Sequence, residues 1–508
     1  MRGRYLYFQC QQLILRKQVA ALVRLLNIPP EIEVVSRDVW ALHLSLLPDP
    51  PPAEPYHHAR QQQDPNQSNE PSSARDDGSA SATQNAPHDS SSDNGSDEGP
   101  HGPVQSDPED PELAEILRQN SESESDSDEG DDEEVNKPET MSRRRKNHSV
   151  YEGPANNLAV LMIACWTLRI PLLYRDLSRY IERYELPYLD PVRLLPTDMI
   201  SHLTKHNIQA LSPAHAPNIL ALHSLTCRLA RLMSSKYSLV TPEANAAPIL
   251  WRATLSMGGT PPLYCLTKTL SRVLSLPLAL HHSLVPELKR VKTSDPESHK
   301  FDDVPVELSF VAATIVVLKL VYGLDGSHRS PQDHNDPACV LPAPGEFLEL
   351  VKKLDEGGSS KFGMGTSTDE MSDEAIDDYL SFCEHALLPS ADHDRSGDKL
   401  LKNYFALAEP RETGRNQQKM PESRIPTRPK FNRTDVSTSD EKRVRPGESY
   451  TIHHSRDVTG TMNEEMELVV RRGAQWVGIS EDYLCGVVEK YERRFARWWK
   501  ETGSKLRA

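Results

Sequence analysis

The stretch ANNLAVLMIACWTL, residues 155–168, is apolar all the way round a helix. A helix with no wet face is stable only where neighbours cover every side of it. Upstream of it runs a strongly acidic tract, and before that tract Tyr5–Leu47 reads as two helices. Two helices cannot enclose a core by themselves, so the leading pair is expected to fold back on whatever follows Tyr151. Loop closure costs about 0.6 kcal/mol per doubling of length, so stretching a short connection to roughly a hundred residues adds only ~2–3 kcal/mol. The fold tolerates that insertion.

Charge divides the chain in the same place. From Pro48 to Thr140 there are 25 Asp+Glu against 4 Lys+Arg, a net of −21. The whole chain carries −16, so the remainder carries −16 − (−21) = +5. A slightly basic body with one negative tether suits a protein that touches nucleic acid and keeps an acidic segment for regulation or partners. An acidic linker that only preserves solubility fits the residues equally well. Rich in Ser, Asp, Glu, Pro and Gln, the tract is expected to be disordered, because it has too little apolar surface to offset ordering entropy. Ser121, Ser123 and Ser125 each precede an acidic residue by three positions, the spacing of acid-directed kinase sites. The hypothesis that phosphorylation deepens the charge there fails if phosphopeptide mapping finds these serines unmodified.

The 508 residues leave room for two or three domains. Seven cysteines (Cys10, Cys165, Cys227, Cys265, Cys339, Cys383 and Cys485) stand singly, mostly in apolar helical runs. Without a CxxC pair no zinc ribbon or redox dithiol forms locally, and reduced, buried thiols in an intracellular protein are expected. No charged-then-apolar leader opens the chain, and no apolar run reaches ~18 residues without a charge or break, so secretion and membrane spanning are not expected.

Outward from residues 155–168 the ordered part reads as all-α. In the first helix Tyr7, Cys10, Ile14, Ala21 and Leu25 share a face, and it stops near Asn27 before Pro29-Pro30. A second helix spans Glu31–Leu47. After the acidic tract come helices at Ala155–Leu168, Tyr174–Arg183, Pro196–Thr204, Ile219–Met233, Ile249–Met257 and Pro261–Ser275. Val304–Tyr322, apolar nearly all round and closed by Gly323, is expected to be a second buried central helix. Glu346–Leu354 and Asp373–Leu388 follow, and Ser480 caps a last helix, Glu481–Lys500, ending in Trp498-Trp499. Ala159–Tyr180 and Phe310–Gly323 echo each other: each is a small-residue-rich apolar helix preceded by two amphipathic ones. The expected division is 1–47 as the first two helices of an N-terminal module, 48–150 as its insertion and 151–211 as its remainder. A C-terminal module at 212–389, a basic disordered linker at 390–460 and a C-terminal helical segment at 461–508 complete it.

Particular residues carry a resemblance. Tyr5-Leu6-Tyr7-Phe8-Gln9-Cys10-Gln11-Gln12-Leu13-Ile14-Leu15-Arg16-Lys17-Gln18 resembles the start of the cyclin region of the TFIIB-like subunit of the RNA polymerase I core factor, in its fungal form. Arg37-Asp38-Val39-Trp40-Ala41-Leu42, Glu185-Leu186-Pro187-Tyr188-Leu189 and Leu318-Lys319-Leu320 are similar to that family as well. So are Arg445-Pro446-Gly447-Glu448-Ser449-Tyr450 and the closing Glu492-Arg493-Arg494 with Trp498. The resemblance implies two consecutive cyclin folds, the first interrupted by the acidic insertion. It implies a nuclear, nucleolar protein that binds the ribosomal DNA promoter and recruits RNA polymerase I without an enzymatic step. Other core-factor subunits and the TATA-binding protein are its implied partners, with no membrane and no small-molecule substrate. The family also has a zinc ribbon ahead of its cyclin folds, and no ribbon cysteines precede the first helix here. An internal methionine start and a factor without its ribbon both remain open. Zinc and ribbon-mediated docking are therefore expected only if a ribbon lies upstream.

Against that background the basic positions are the candidate DNA contacts. Arg143-Arg144-Arg145-Lys146 reads as a nuclear import signal, a phosphate contact or a solvated linker. Lys289, Arg290 and Lys292 lie between expected helices of the second module, where a TFIIB-like fold meets DNA. Arg228 and Arg231 read as DNA contacts or as the wet face of their helix. Trp498-Trp499 packs on a partner subunit or plugs a local core. Asp392–Gly397 copies the first six positions of a calcium loop, but Asn403 stands where a bidentate Glu is needed. Gly363-Met364-Gly365 has no preceding strand and is not expected to cradle phosphate. The pairs His57-His58, His281-His282 and His453-His454 lack helical spacing or nearby carboxylates, and are expected to face solvent with no metal. No Ser/His/Asp or paired-carboxylate spacing is evident, so no catalytic residue is expected. Two other functions compete: a cyclin-type kinase regulator, and an α-helical scaffold that makes no DNA contact.

Overall fold

The computed structural model describes residues 2–51, 150–294, 299–327, 329–331, 333–358, 373–387, 444–455, 460 and 462–507. Its helices, in chain order, are α1 Arg2–Leu26, α2 Glu31–Ser45, α3 Ala155–Thr167, α4 Tyr174–Glu182, α5 Thr197–Ser201, α6 Lys205–Leu211 and α7 Ile219–Tyr237. There follow α8 Ala246–Ser256, α9 Pro261–Val273, α10 Pro286–Ser294, α11 Val306–Tyr322, α12 Pro344–Gly358, α13 Asp373–Leu387, α14 Glu464–Val477 and α15 Glu481–Arg507. No strand occurs among the described residues, only an isolated bridge between Arg329 and Val444.

Two apolar helices organise everything else. Every residue of α3 from Asn156 to Trp166 is buried, and α1, α2 and α7 pack against it. In α11 all residues except Leu320 are buried, and α8, α9, α14 and α15 surround it. Each Leu, Ile, Val or Phe so enclosed contributes roughly 1.5–3 kcal/mol relative to exposure. The echo read in the sequence is therefore a structural repeat: two amphipathic helices, a central apolar helix, and two more that close the bundle.

Local chemistry sets the breaks. Asn27 takes a left-handed turn (φ 49°) ahead of Pro29-Pro30 and separates α1 from α2. Thr204, Asn218 and Asn463 cap α6, α7 and α14 by accepting backbone N–H groups with their side chains. Gly473 brings α14 onto α11, where an added methyl would stand 2.9 Å from Val311 Cγ1.

Packing revises several expectations. Ile219–Tyr237, expected at the head of the second module, lies on α3 and α4. Its C-terminal end also meets α2, where Lys236 Nζ donates to the Ser45 carbonyl (3.2 Å) and the Ser45 and Tyr237 hydroxyls lie 2.7 Å apart. The helix expected from Pro196 to Thr204 stops at Ser201 as α5, and Thr204 caps a further helix, α6, beyond it. Lys289, Arg290 and Lys292 lie on a helix, α10, rather than between helices; its charged, weakly periodic sequence hid it. The C-terminal pair α14/α15 is part of the core around α11. Of the cysteines, Cys10, Cys165 and Cys227 are buried as expected, but Cys265 is exposed on the outer side of α9. Among the described residues no helix is long and apolar enough to cross a membrane. Most of 48–150 and of 390–460, with Gly363–Gly365, Asp392–Gly397 and Asn403, lies outside the described residues.

Candidate functional site

Residues of the opening motif reach across the acidic tract. Tyr7 Oη and Gln11 Nε2 both donate to the Glu152 carbonyl, at 3.1 and 2.5 Å, and Gln18 Nε2 donates to the Pro187 carbonyl at 2.7 Å. Asn157 Nδ2 in turn donates to the Gln11 carbonyl (3.2 Å). Arg4 bridges Asp49 Oδ2 (2.6 Å) and Glu152 Oε1 (2.7 Å), so it clasps the chain on both sides of the tract. Burial pushes the Tyr7 phenol well above its ordinary range, which keeps it a donor.

A second polar set runs between the two bundles. Arg252 on α8 makes a bidentate fork to Asp176 on α4 (2.8 and 2.7 Å). Glu307, in the first turn of α11, accepts the Tyr174 backbone N–H at 3.1 Å. Tyr174 Oη lies 3.0 Å from His223 Nδ1, and His223 Nε2 lies 2.9 Å from the Asp303 carbonyl. Burial drives the Glu307 carboxyl up to about 7 and the His223 imidazole down to about 4. Gly478, at φ +82°, closes the seam from the C-terminal side: a Cβ there would stand 2.7 Å from Ile219 Cδ1 and 2.8 Å from Arg175 Cδ. Trp166 Nε1 donates to the Pro242 carbonyl (2.6 Å), pinning the segment between α7 and α8. The two bundles thus meet through an ordered, partly buried polar seam.

Three distant motifs converge inside the second bundle. Lys319 Nζ and Glu492 Oε1 form a buried ion pair at 2.7 Å, and Tyr450 Oη donates to the same oxygen at 2.6 Å. Burial raises the Glu492 carboxyl, while Lys319 and the tyrosine hydroxyl draw it back down. Arg494 binds the fully buried Asp302 carboxylate at 2.7 Å.

The expected DNA contacts are scattered in character. Arg143, Arg144, Arg145 and Lys146 lie outside the described residues. Arg228 is half-buried with its guanidinium over the Tyr151 ring, 3.4 Å from the centroid. Burial, with that cation beside it, lowers the His43 imidazole to about 4. Arg231, three positions further along α7, is half-buried as well. Lys289 and Arg290 are exposed on α10, and the Lys292 side chain lies outside the described residues. Trp498 stacks on Phe495 (5.8 Å between centroids), whereas Trp499 is 65% exposed. His454 is exposed, as expected, but the Glu489 carboxylate stands 3.2 Å from its Nδ1; His453, His281 and His282 are half-buried, and Asp303 is the carboxylate beside the last two. His57-His58 lie outside the described residues.

Comparison with known proteins follows this architecture. The model of the Rrn7/TAF1B N-terminal cyclin domain matches residues 104–197, and that of the Rrn7/TAF1B C-terminal cyclin domain matches residues 215–387. Helices α1, α2, α14 and α15 lie outside those stretches, yet they pack on the two central helices, and α7, which packs on α3, falls inside the C-terminal stretch. The RNA polymerase I-specific transcription initiation factor rrn7 of Schizosaccharomyces pombe is 23% identical over 363 residues, 71% of this chain and 58% of the relative. The chain thus spans less than two thirds of that relative's length. A crystal structure of the S. cerevisiae core factor aligns over 98% of this chain and 91% of the matched chain at 12% identity, with a TM-score of 0.37, too low to carry an argument.

Proposed function

Since the chain belongs to the Rrn7/TAF1B family, with both of its cyclin domains, we propose that it is a non-enzymatic RNA polymerase I initiation factor. In this reading it is a core-factor subunit that binds the ribosomal DNA promoter and brings the polymerase to it in the nucleolus. The observation that carries it is the pair of five-helix bundles held together by the Arg252–Asp176 fork and the Glu307–Tyr174–His223 contacts. A relay that bridges promoter and polymerase needs two docking modules whose relative placement is fixed, and the seam supplies that placement. The exposed Lys289 and Arg290 on α10 support phosphate contact by the second bundle, and the basic run Arg143–Lys146 is the second candidate. Contacts of this type position a protein on DNA and make its affinity salt-dependent without reading sequence.

The test is a titration of promoter DNA against the full chain, assembled with its core-factor partners and the TATA-binding protein, over a range of salt. A steep negative slope of log affinity on log salt is expected. In a Lys289→Ala, Arg290→Ala double variant the slope should fall by about one for each phosphate left unneutralised. Negligible affinity without salt dependence would leave a helical scaffold. Activation of a bound kinase would leave a cyclin-type regulator.

A further inference from the structure

We propose that His281, His282 and Asp303 form a site for a zinc-class divalent metal ion beside the seam between the two bundles. The donor atoms of these residues all lie within 4.8 Å of one another. His282 Nδ1 is 2.8 Å from both carboxylate oxygens of Asp303, and His281 Nε2 is 3.8 Å from Oδ2. Across a tetrahedral zinc with bonds of about 2.0–2.2 Å, nitrogen and oxygen ligands stand roughly 3.3 Å apart. The observed separations bracket that distance, so a metal entering in place of the shared proton closes one gap and opens the other by about half an ångström.

The backbone holds all three ligands in place. The loop that carries the histidines is pinned to α7 by Cys227 Sγ, which donates to the Leu280 carbonyl (2.8 Å), and to the inter-bundle segment by Ala244 N, which donates to the Leu278 carbonyl (2.8 Å). Asp303 Oδ1 accepts the His282 backbone N–H at 2.9 Å, and the Asp303 carbonyl faces His223 Nε2. The two imidazoles lie close together, 4.2 Å between centroids with their planes tilted by 36°. Ser283 Oγ lies 2.8 Å from His281 Nδ1, where it can accept the Nδ1 proton and turn the Nε2 lone pair toward the metal. The Ser283 N–H, 3.1 Å from the same nitrogen, serves the opposite tautomer. Two imidazoles and one carboxylate suit zinc, cobalt, nickel or copper rather than magnesium or calcium. The three side chains are each between 13 and 25% exposed, which leaves a fourth position for water. Because α7 touches this cluster through His223 and Cys227, the bound ion would tie the second bundle to the helix that closes the first.

The experiment strips the full chain with chelator, then titrates it with zinc against a chromophoric competitor and, separately, with cobalt. Expected are one zinc per chain, a higher Tm with zinc than without, and the visible spectrum of tetrahedral cobalt with no thiolate charge-transfer band. Asp303→Asn and His281→Gln, which keep hydrogen-bonding shape, should each weaken zinc at least tenfold while leaving the far-ultraviolet circular dichroism unchanged. No stoichiometric zinc, a thiolate band, or affinity untouched by both variants would overturn the site. Should either variant fail to fold, the cobalt spectrum of the unaltered chain still decides.

Discussion

Glu307 and Lys319 lie on the same central helix and differ in how their burial is compensated. Glu307 receives a backbone N–H and has the Asp176 carboxylate and the Arg252 guanidinium nearby, and burial moves it from the ordinary 4.5 to about 7. A carboxyl raised in the folded state holds a proton that the unfolded chain releases. Its contribution to stability is therefore complete below pH 4.5, is lost as the pH rises to about 7, and stays lost above. Glu307→Gln keeps the acceptor for Tyr174 and removes the titration. Relative to the parent it should be unchanged near pH 4.5 and more stable above pH 7, by on the order of 1–3 kcal/mol; denaturant melts across that range check this. Lys319 has a direct partner instead. Lys319→Met alone strands the Glu492 carboxylate and should cost about 3 kcal/mol or more, while Lys319→Met with Glu492→Leu should recover most of the loss. A loss in the double variant equal to the sum of the losses in Lys319→Met and Glu492→Leu alone, by calorimetry, would show that the pair is not coupled.

At the scale of elements, the apolar stretches fixed the reading and the amphipathic ones left it open. A helix buried on every side, such as α3 or α11, announces itself because no solvated face interrupts the apolar run. α7 shows a buried stripe that any central helix could cover, so its place on α3 depended on three-dimensional packing. α14 carried a readable cap, Asn463, followed by Glu464 and Glu465, but Gly473 in its middle masked the period. That glycine and Gly478 both serve packing. Gly478 needs a positive φ and a bare Cα against Ile219 and Arg175, so Gly478→Ala should destabilise by about 1–3 kcal/mol, with α14 and α15 losing hydrogen-exchange protection first. The site residues follow the same rule. Lys319 and Glu492 are 173 positions apart, and Asp303 stands 21 positions from His282 across α10, so neither pairing leaves a spacing to read.

For the molecule as a whole, the two longest connections run between α2 and α3 and between α12 and α14, and the second carries α13 and brings Tyr450 back onto the buried Lys319–Glu492 pair. Replacing residues 53–148 by a short Gly/Ser linker should keep the fold and raise its stability by no more than ~2–3 kcal/mol, the closure term of a shortened loop. Thermal melts of the two chains side by side measure that difference. A lower melting temperature after the replacement would mean that the tract itself contributes to folding.

Arg4 holds Asp49 and Glu152 at one point, so departure and return share a single doorway. A peptidase cut anywhere between residues 53 and 148 would then give two fragments that elute together under native conditions and part only in detergent. The first fragment, carrying α1 and α2, would stay seated on α3 through Tyr7, Gln11 and Gln18, as a severed thread stays in a tied knot.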